Sequence, residues 1–189
     1  MTRTILSAFI VAAALAVPLA LRAQPMPAAG PQVTVSIAPA FAERARRILI
    51  GERDLDQLRR ELTADVVRTS AKHPGQVPVR LDLMLDNAVP NRPTFDQLGR
   101  IVSLSYLGSI GLGGAGIGGT ATLADGSTQP IRFSWYETEL RNEFGPATWT
   151  DAERAFDIFA RRVAHGDLRP YSLGSASRNG GDFTNQLGY

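Results

Sequence analysis

The chain contains no cysteine, which excludes disulfides, thiolate metal sites, a cysteine nucleophile and a lipid carried on an N-terminal cysteine. Its stability must come from packing alone. Lysine is nearly absent as well: Lys72 is the only one among 20 basic residues, a bias that codon usage explains at least as well as selection for phosphate binding. Histidine occurs only as His73 and His165, neither in a metal-binding or nucleophile-activating spacing. No serine stands in a nucleophile-elbow pattern, and no Asp-rich loop has calcium spacing. The sequence therefore nominates no catalytic residue, no metal ligand and no cofactor.

Long hydrophobic runs are also missing, apart from one at the N-terminus. Arg3 is followed by the uncharged, mostly apolar stretch Ile5 to Leu21, broken late by Pro18, and Leu21-Arg22-Ala23 forms a small-residue cleavage triplet. The run falls short of the roughly 20 apolar residues that span a bilayer. Residues 1–23 are therefore read as a secretory signal peptide cleaved near Ala23, which places the remainder in the periplasm. A single arginine, Arg3, ahead of the apolar run points to general secretion rather than the twin-arginine route. Arg3 and Arg22 also account for the whole excess of 20 basic over 18 acidic residues, so the chain after Ala23 is formally neutral. That removes the electrostatic basis for nucleic-acid binding.

Residues 24–31, rich in proline, read as a flexible linker, and 32–168 as a single domain of ordinary size. Val33, Val35 and Ile37 alternate with polar residues as in a half-buried strand that Pro39 ends. Phe41 to Ile50 has helix-like spacing interrupted by Gly51. A stronger helix is expected from Asp54, as N-cap with Gln57 three residues on, to Ala71, with Leu55, Leu58, Leu62 and Val66 on one stripe. After a turn at Pro74-Gly75, alternation through Val77, Val79, Leu81, Leu83 and Leu85 predicts the clearest strand. Asp82 and Asp86 share its polar face, about 13 Å apart, too far to flank one bond. Arg80 is placed to pair with Asp82.

Asn87 to Arg100 reads as a long connection shaped by Pro90 and Pro93. Ile101 to Ala124 then runs 24 residues without a charge, and seven of the twelve residues from Gly108 to Gly119 are glycine. A dinucleotide-binding loop would have to open a helix, yet Thr120 to Leu123 reads as strand. A membrane helix is disfavoured by glycine's cost of about 1 kcal/mol per interior position. Two strands fit best, Leu104 and Tyr106 entering and Ala121 and Leu123 leaving, joined through the glycines. Asp125-Gly126 signals a hairpin into a strand carrying Ile131, Phe133 and Trp135. Thr150 with Glu153 opens a helix whose stripe is Ala152, Ala155, Phe156, Phe159 and Val163, ending at Gly166 beside Arg161, Arg162 and His165. Residues 169–189, rich in Gly, Ser and Asn, are expected to form a mobile tail.

The element order predicts an α+β fold: a two-layer sandwich with a mixed, mostly antiparallel sheet of about four strands and two helices on one face. The first strand and the Val77 strand should be parallel across a right-handed crossover. The leader, Val33-Thr34-Val35 and the Leu81-to-Asp86 strand together resemble small exported proteins of Gram-negative bacteria. That resemblance implies a periplasmic location and supplies no catalytic residues.

For recognition, the polar residues of the long connection stand out, because loops present such groups from a rigid scaffold. Asn91, Arg92 and Thr94 are the nominated binding residues, with Asp96 beside them and Trp149 as a ligand platform or hydrophobic lid. The expected function is a non-catalytic cell-envelope protein that binds or helps assemble another component. The alternatives are a periplasmic hydrolase using separate Asp or Glu residues and a peripheral membrane protein that makes contact through residues 101–124.

Overall fold

The computed structural model describes residues 30–73, 77–139 and 147–176. The expected signal peptide, most of the linker, the Pro74-Gly75 turn and the tail beyond residue 176 lie outside the described residues.

Alternating apolar residues generate the first strand, β1 (Gln32–Ile37), and Pro39 opens helix α1 (Pro39–Arg47) rather than merely ending the strand. Proline suits a first helical position because its missing N–H would have no intrahelical partner there. Helix α2 (Glu52–Ser70) buries Leu58, Leu62 and Val66, the predicted stripe. It starts before Asp54, with Gly51 as N-cap. The chain then enters β2 (Arg80–Val89), helix α3 (Phe95–Arg100), β3 (Gly114–Thr122), β4 (Thr128–Tyr136), α4 (Thr150–Ala164) and β5 (Tyr171–Leu173).

The five strands lie in sequence order, β1-β2-β3-β4-β5. β1 and β2 are parallel, as a crossover through α2 requires, and the β2–β3 and β3–β4 pairs are antiparallel. β5 adds a short parallel pairing to β4. Helices α2 and α4 cover one face, and the core lies between them and Val35, Leu81, Leu83, Leu85, Ala115, Ile117, Ala121, Ile131, Phe133 and Trp135. The fold is thus α+β with two helices on a mixed sheet, as the element order predicts, with five strands in place of about four.

The departures from the sequence reading have local causes. β2 begins at Arg80, with the Val79 backbone still bonded to Gln32 on one side and Thr122 on the other, and a bulge between Leu85 and Asn87 shifts the alternation so that Ala88 returns to the core. The long connection contains α3, which Thr94 and Gln97 start with a complete capping box. No strand forms through Leu104 and Tyr106, and β3 begins only at Gly114. Thr150 does not cap α4; Trp149 holds that position, and the Thr150 hydroxyl donates to the Ala147 carbonyl. Part of the expected tail is β5, held by Tyr171 stacked on Phe133 at 5.4 Å and by the Arg162 guanidinium over the Tyr171 ring.

Candidate functional site

The polar residues nominated from the long connection converge, but on one another. Asn91 is completely buried. Its side-chain amide donates to the Asp151 carboxylate at 2.5 Å, and its carbonyl oxygen accepts from the Asp151 backbone N–H at 2.9 Å. The same carboxylate accepts from the Gly113 N–H, while the Asn91 backbone N–H donates to the Thr148 carbonyl. These bonds fasten the end of β2, the start of β3 and the start of α4 into one knot. Thr94 is also buried, and its hydroxyl donates to the Leu49 carbonyl while Gln97 Nε2 donates to that of Ile48. Leu49 has a positive φ of 59°, so these two bonds hold the strained turn between α1 and α2.

Trp149 is buried, with its Nε1 donating to Asp54 at 3.1 Å. Burial pushes the Asp54 carboxyl above its ordinary range, the Trp149 and Gly51 donors partly offset that, and nearby Asp96 adds to the rise. Arg92 donates to the carbonyls of Tyr106 and Leu107. Asn91, Thr94 and Trp149 thus direct their polar groups inward, and Arg92 fastens its own loop.

The glycines are explained by space. On the face away from α2 and α4, Tyr136, Asn87 and Asp86 lie across β3: the Tyr136 hydroxyl accepts from Asn87 Nδ2 at 3.0 Å, and Asn87 Oδ1 accepts from Arg44 at 2.6 Å. A Cβ on Gly118 would strike the Asp86 carboxylate, and one on Gly116 would crowd the Tyr136 hydroxyl. The glycine-rich strand β3 is central in the sheet, paired with β2 on one side and β4 on the other, and so is not an edge.

The sheet's true edges differ sharply. β5 has three residues and leaves little backbone to pair, which is one way proteins blunt an edge. β1 has six, with no charge, no proline and no bulge. Gln32 N–H donates to Val79 and Ala38 N–H to Leu85, so the even-numbered residues turn their backbone groups toward β2. Because peptide groups alternate along a strand, the N–H and C=O groups of Val33, Val35 and Ile37 point away from the sheet.

Alongside that edge runs a groove of about 570 Å³ between β1 and α2. Val33, Val35, Ala64 and Val67 make it apolar, while Arg59 and Arg60 supply positive charge. Arg59 pairs with Asp56 at 2.9 Å, whereas Arg60 has no acidic partner among the described residues. Sequence reasoning identified β1 but could not find its site, because edge position depends on strand order and crossover direction.

A second cleft, of about 440 Å³, lies between α1, α2 and α3 and presents Arg46, Glu52, Asp96 and Arg100. The Asp96 and Asp54 carboxylates both approach within 4 Å of the place a Gly51 Cβ would occupy. His73 and His165, 92 positions apart in sequence, come together with ring centroids 4.6 Å apart. Among the described residues, no group of three or more His, Cys, Asp or Glu side chains could hold a metal ion. Comparison with protein-family models, with curated proteins and with solved structures finds no match to this chain.

Proposed function

We propose that the protein is a non-catalytic binding module of the cell envelope that captures an extended segment of a partner protein by strand addition to β1. One observation carries this reading: among the described residues no strand pairs with the outer edge of the uncharged strand β1, whose outward N–H and C=O groups at Val33, Val35 and Ile37 lie beside a groove walled by α2. An added strand would satisfy those groups, and its alternate side chains would pack on Val33, Val35, Ala64 and Val67. An aspartate or glutamate in the segment would meet Arg59 and Arg60. The periplasmic setting rests on the leader and remains part of the proposal.

The reading is tested by selecting peptides from a random extended-peptide display library against the protein and against two variants. Val33→Pro removes an N–H that has no partner within the sheet and places its ring on the pairing edge. Arg60→Glu reverses the unpaired charge. Selected peptides should alternate apolar residues around an acidic one, and both variants should lose them by roughly tenfold while unfolding at unchanged urea concentration. Binders indifferent to both changes would contradict strand addition.

The hydrolase alternative retains one specific observation, the neighbouring Asp54 and Asp96 carboxylates, with burial raising Asp54 above its ordinary value. It requires turnover of a generic nitrophenyl ester, phosphate or glycoside that Asp96→Asn abolishes. Asp54 already accepts from Trp149 and Gly51 in starting α2, so the binding reading explains it without catalysis.

A further inference from the structure

The described residues include eight large apolar side chains that stand exposed, and four of them, Phe95, Val102, Leu107 and Ile110, fall within one sixteen-residue stretch. Single exposed apolar residues need no explanation, but this concentration does. Phe95 is 87 %, Val102 101 % and Leu107 79 % exposed, so they project from the surface instead of forming a flat, packable face.

Polar bonds hold this stretch in place. The Gly111 N–H donates to the Asn91 carbonyl at 2.8 Å, closing the loop at its base, and the Arg92 guanidinium holds the Tyr106 and Leu107 carbonyls. The Ser109 N–H donates to the Ser105 carbonyl, tightening the turn. The loop is thus held by bonds to its backbone and by the buried Ile101, while Phe95, Val102 and Leu107 stay in solvent.

The charge pattern distinguishes between occupants. From residue 101 to 113, ahead of the buried strand β3, there is no charged side chain to resist entry into an apolar medium. At the base stand Arg92 and Arg100, with Asp96 between them in sequence; across the adjoining cleft lie Glu52 and Arg46, the latter paired with Glu43. Arg100 has no acidic partner among the described residues. Projecting apolar side chains between small residues, with cations behind them, suit a fluid anionic surface, which needs no matching shape. A protein interface would favour a packed central patch instead.

We infer that Phe95, Val102, Leu107 and Ile110 form a crest that inserts into the interface of an anionic lipid bilayer, with Arg92 and Arg100 at the headgroup level. The crest follows the end of β2, whereas the groove flanks β1 and α2, so the two share no residue. The two sites are independent, and either can fail without the other.

The test uses the chain from Gln24 onward, which retains every described element and lacks the apolar leader. It is sedimented with vesicles of phosphatidylglycerol mixed with phosphatidylcholine, and with phosphatidylcholine alone. The protein should co-sediment with the anionic vesicles and much less with the neutral ones. A Val102→Asp/Leu107→Asp variant should bind the anionic vesicles roughly tenfold or more weakly, since each side chain then loses its apolar burial. Arg100→Glu should weaken binding less, and its deficit should shrink at high salt as screening reduces the charge contribution. These side chains are already in water, so the variants should fold. Protein that stays in the supernatant with both vesicle types would overturn the inference. So would undiminished binding by the double variant, or self-association that the double variant abolishes in place of vesicle binding.

Discussion

At the scale of single residues, the polar side chains most easily mistaken for a ligand site instead secure loops. Asn91 satisfies both ends of its amide against Asp151, so Asn91→Ala would leave the Asp151 backbone N–H without its partner and remove a donor from a buried carboxylate. A loss of about 2 to 4 kcal/mol follows from orphaning such groups. Urea unfolding of the variant checks it. Glycine positions separate in the same way. Gly119 has a φ of +138°, and a Cβ there would strike the Asp82 carbonyl of the neighbouring strand, whereas Gly126, at +82°, faces open space in the hairpin. Gly119→Ala should therefore cost about 3 kcal/mol and Gly126→Ala nearer 1. Equal shifts in thermal midpoint for the two would contradict that distinction. The sequence shows the glycines plainly, but not that Asp86 and Tyr136 from flanking strands need the room above them.

At the scale of elements, periodicity was sufficient wherever an element has one buried face. The α2 stripe of Leu58, Leu62 and Val66 and the alternation of Leu81, Leu83 and Leu85 are visible because burial imposes a repeat of 3.6 or 2. It failed where local chemistry decides. α3 has six residues, too few for a stripe, and its only clear signal is the Thr94–Gln97 capping box. β5 has three residues and exists because Tyr171 stacks on Phe133, a contact that no local pattern encodes. The Val77 strand starts later than its alternation suggests: β2 begins at Arg80, and of the two preceding valines Val79 bonds to the neighbouring strands at the ladder's end. The candidate site was least legible of all. β1 reads as an ordinary strand, and only the order β1-β2-β3-β4-β5 leaves it at an edge with α2 alongside.

At the scale of the whole molecule, the carboxylates predict how stability responds to pH. Burial raises Asp54, Asp65, Asp86 and Glu153 above their ordinary values of 3.8 for aspartate and 4.5 for glutamate. A raised folded value means that the native state binds more protons than the unfolded one in that window. Acidification from neutrality through the raised values therefore stabilises the fold. Asp82, Asp125 and Asp167 shift the opposite way, lowered chiefly by hydrogen bonds from Arg80, Ser127 and Arg169. Their contribution is present above 3.8 and is lost as pH falls through their depressed values. The urea midpoint should thus rise from pH 7 toward mildly acidic pH and fall below 3.8. A midpoint that declines steadily from pH 7 would contradict this balance.

The same whole-molecule arrangement of helices on one face, a blunted edge at β5 and an open one at β1 supports binding by strand addition. The most direct measurement is amide hydrogen exchange, residue by residue, with and without the tightest peptide from the display selection. Val33, Val35 and Ile37 should exchange quickly in the free protein, while Thr34 and Ser36, bonded toward β2, exchange slowly. On binding, the three outward amides should become protected. Protection at Val33, Val35 and Ile37 before any peptide is added, or none after it binds, would contradict the account.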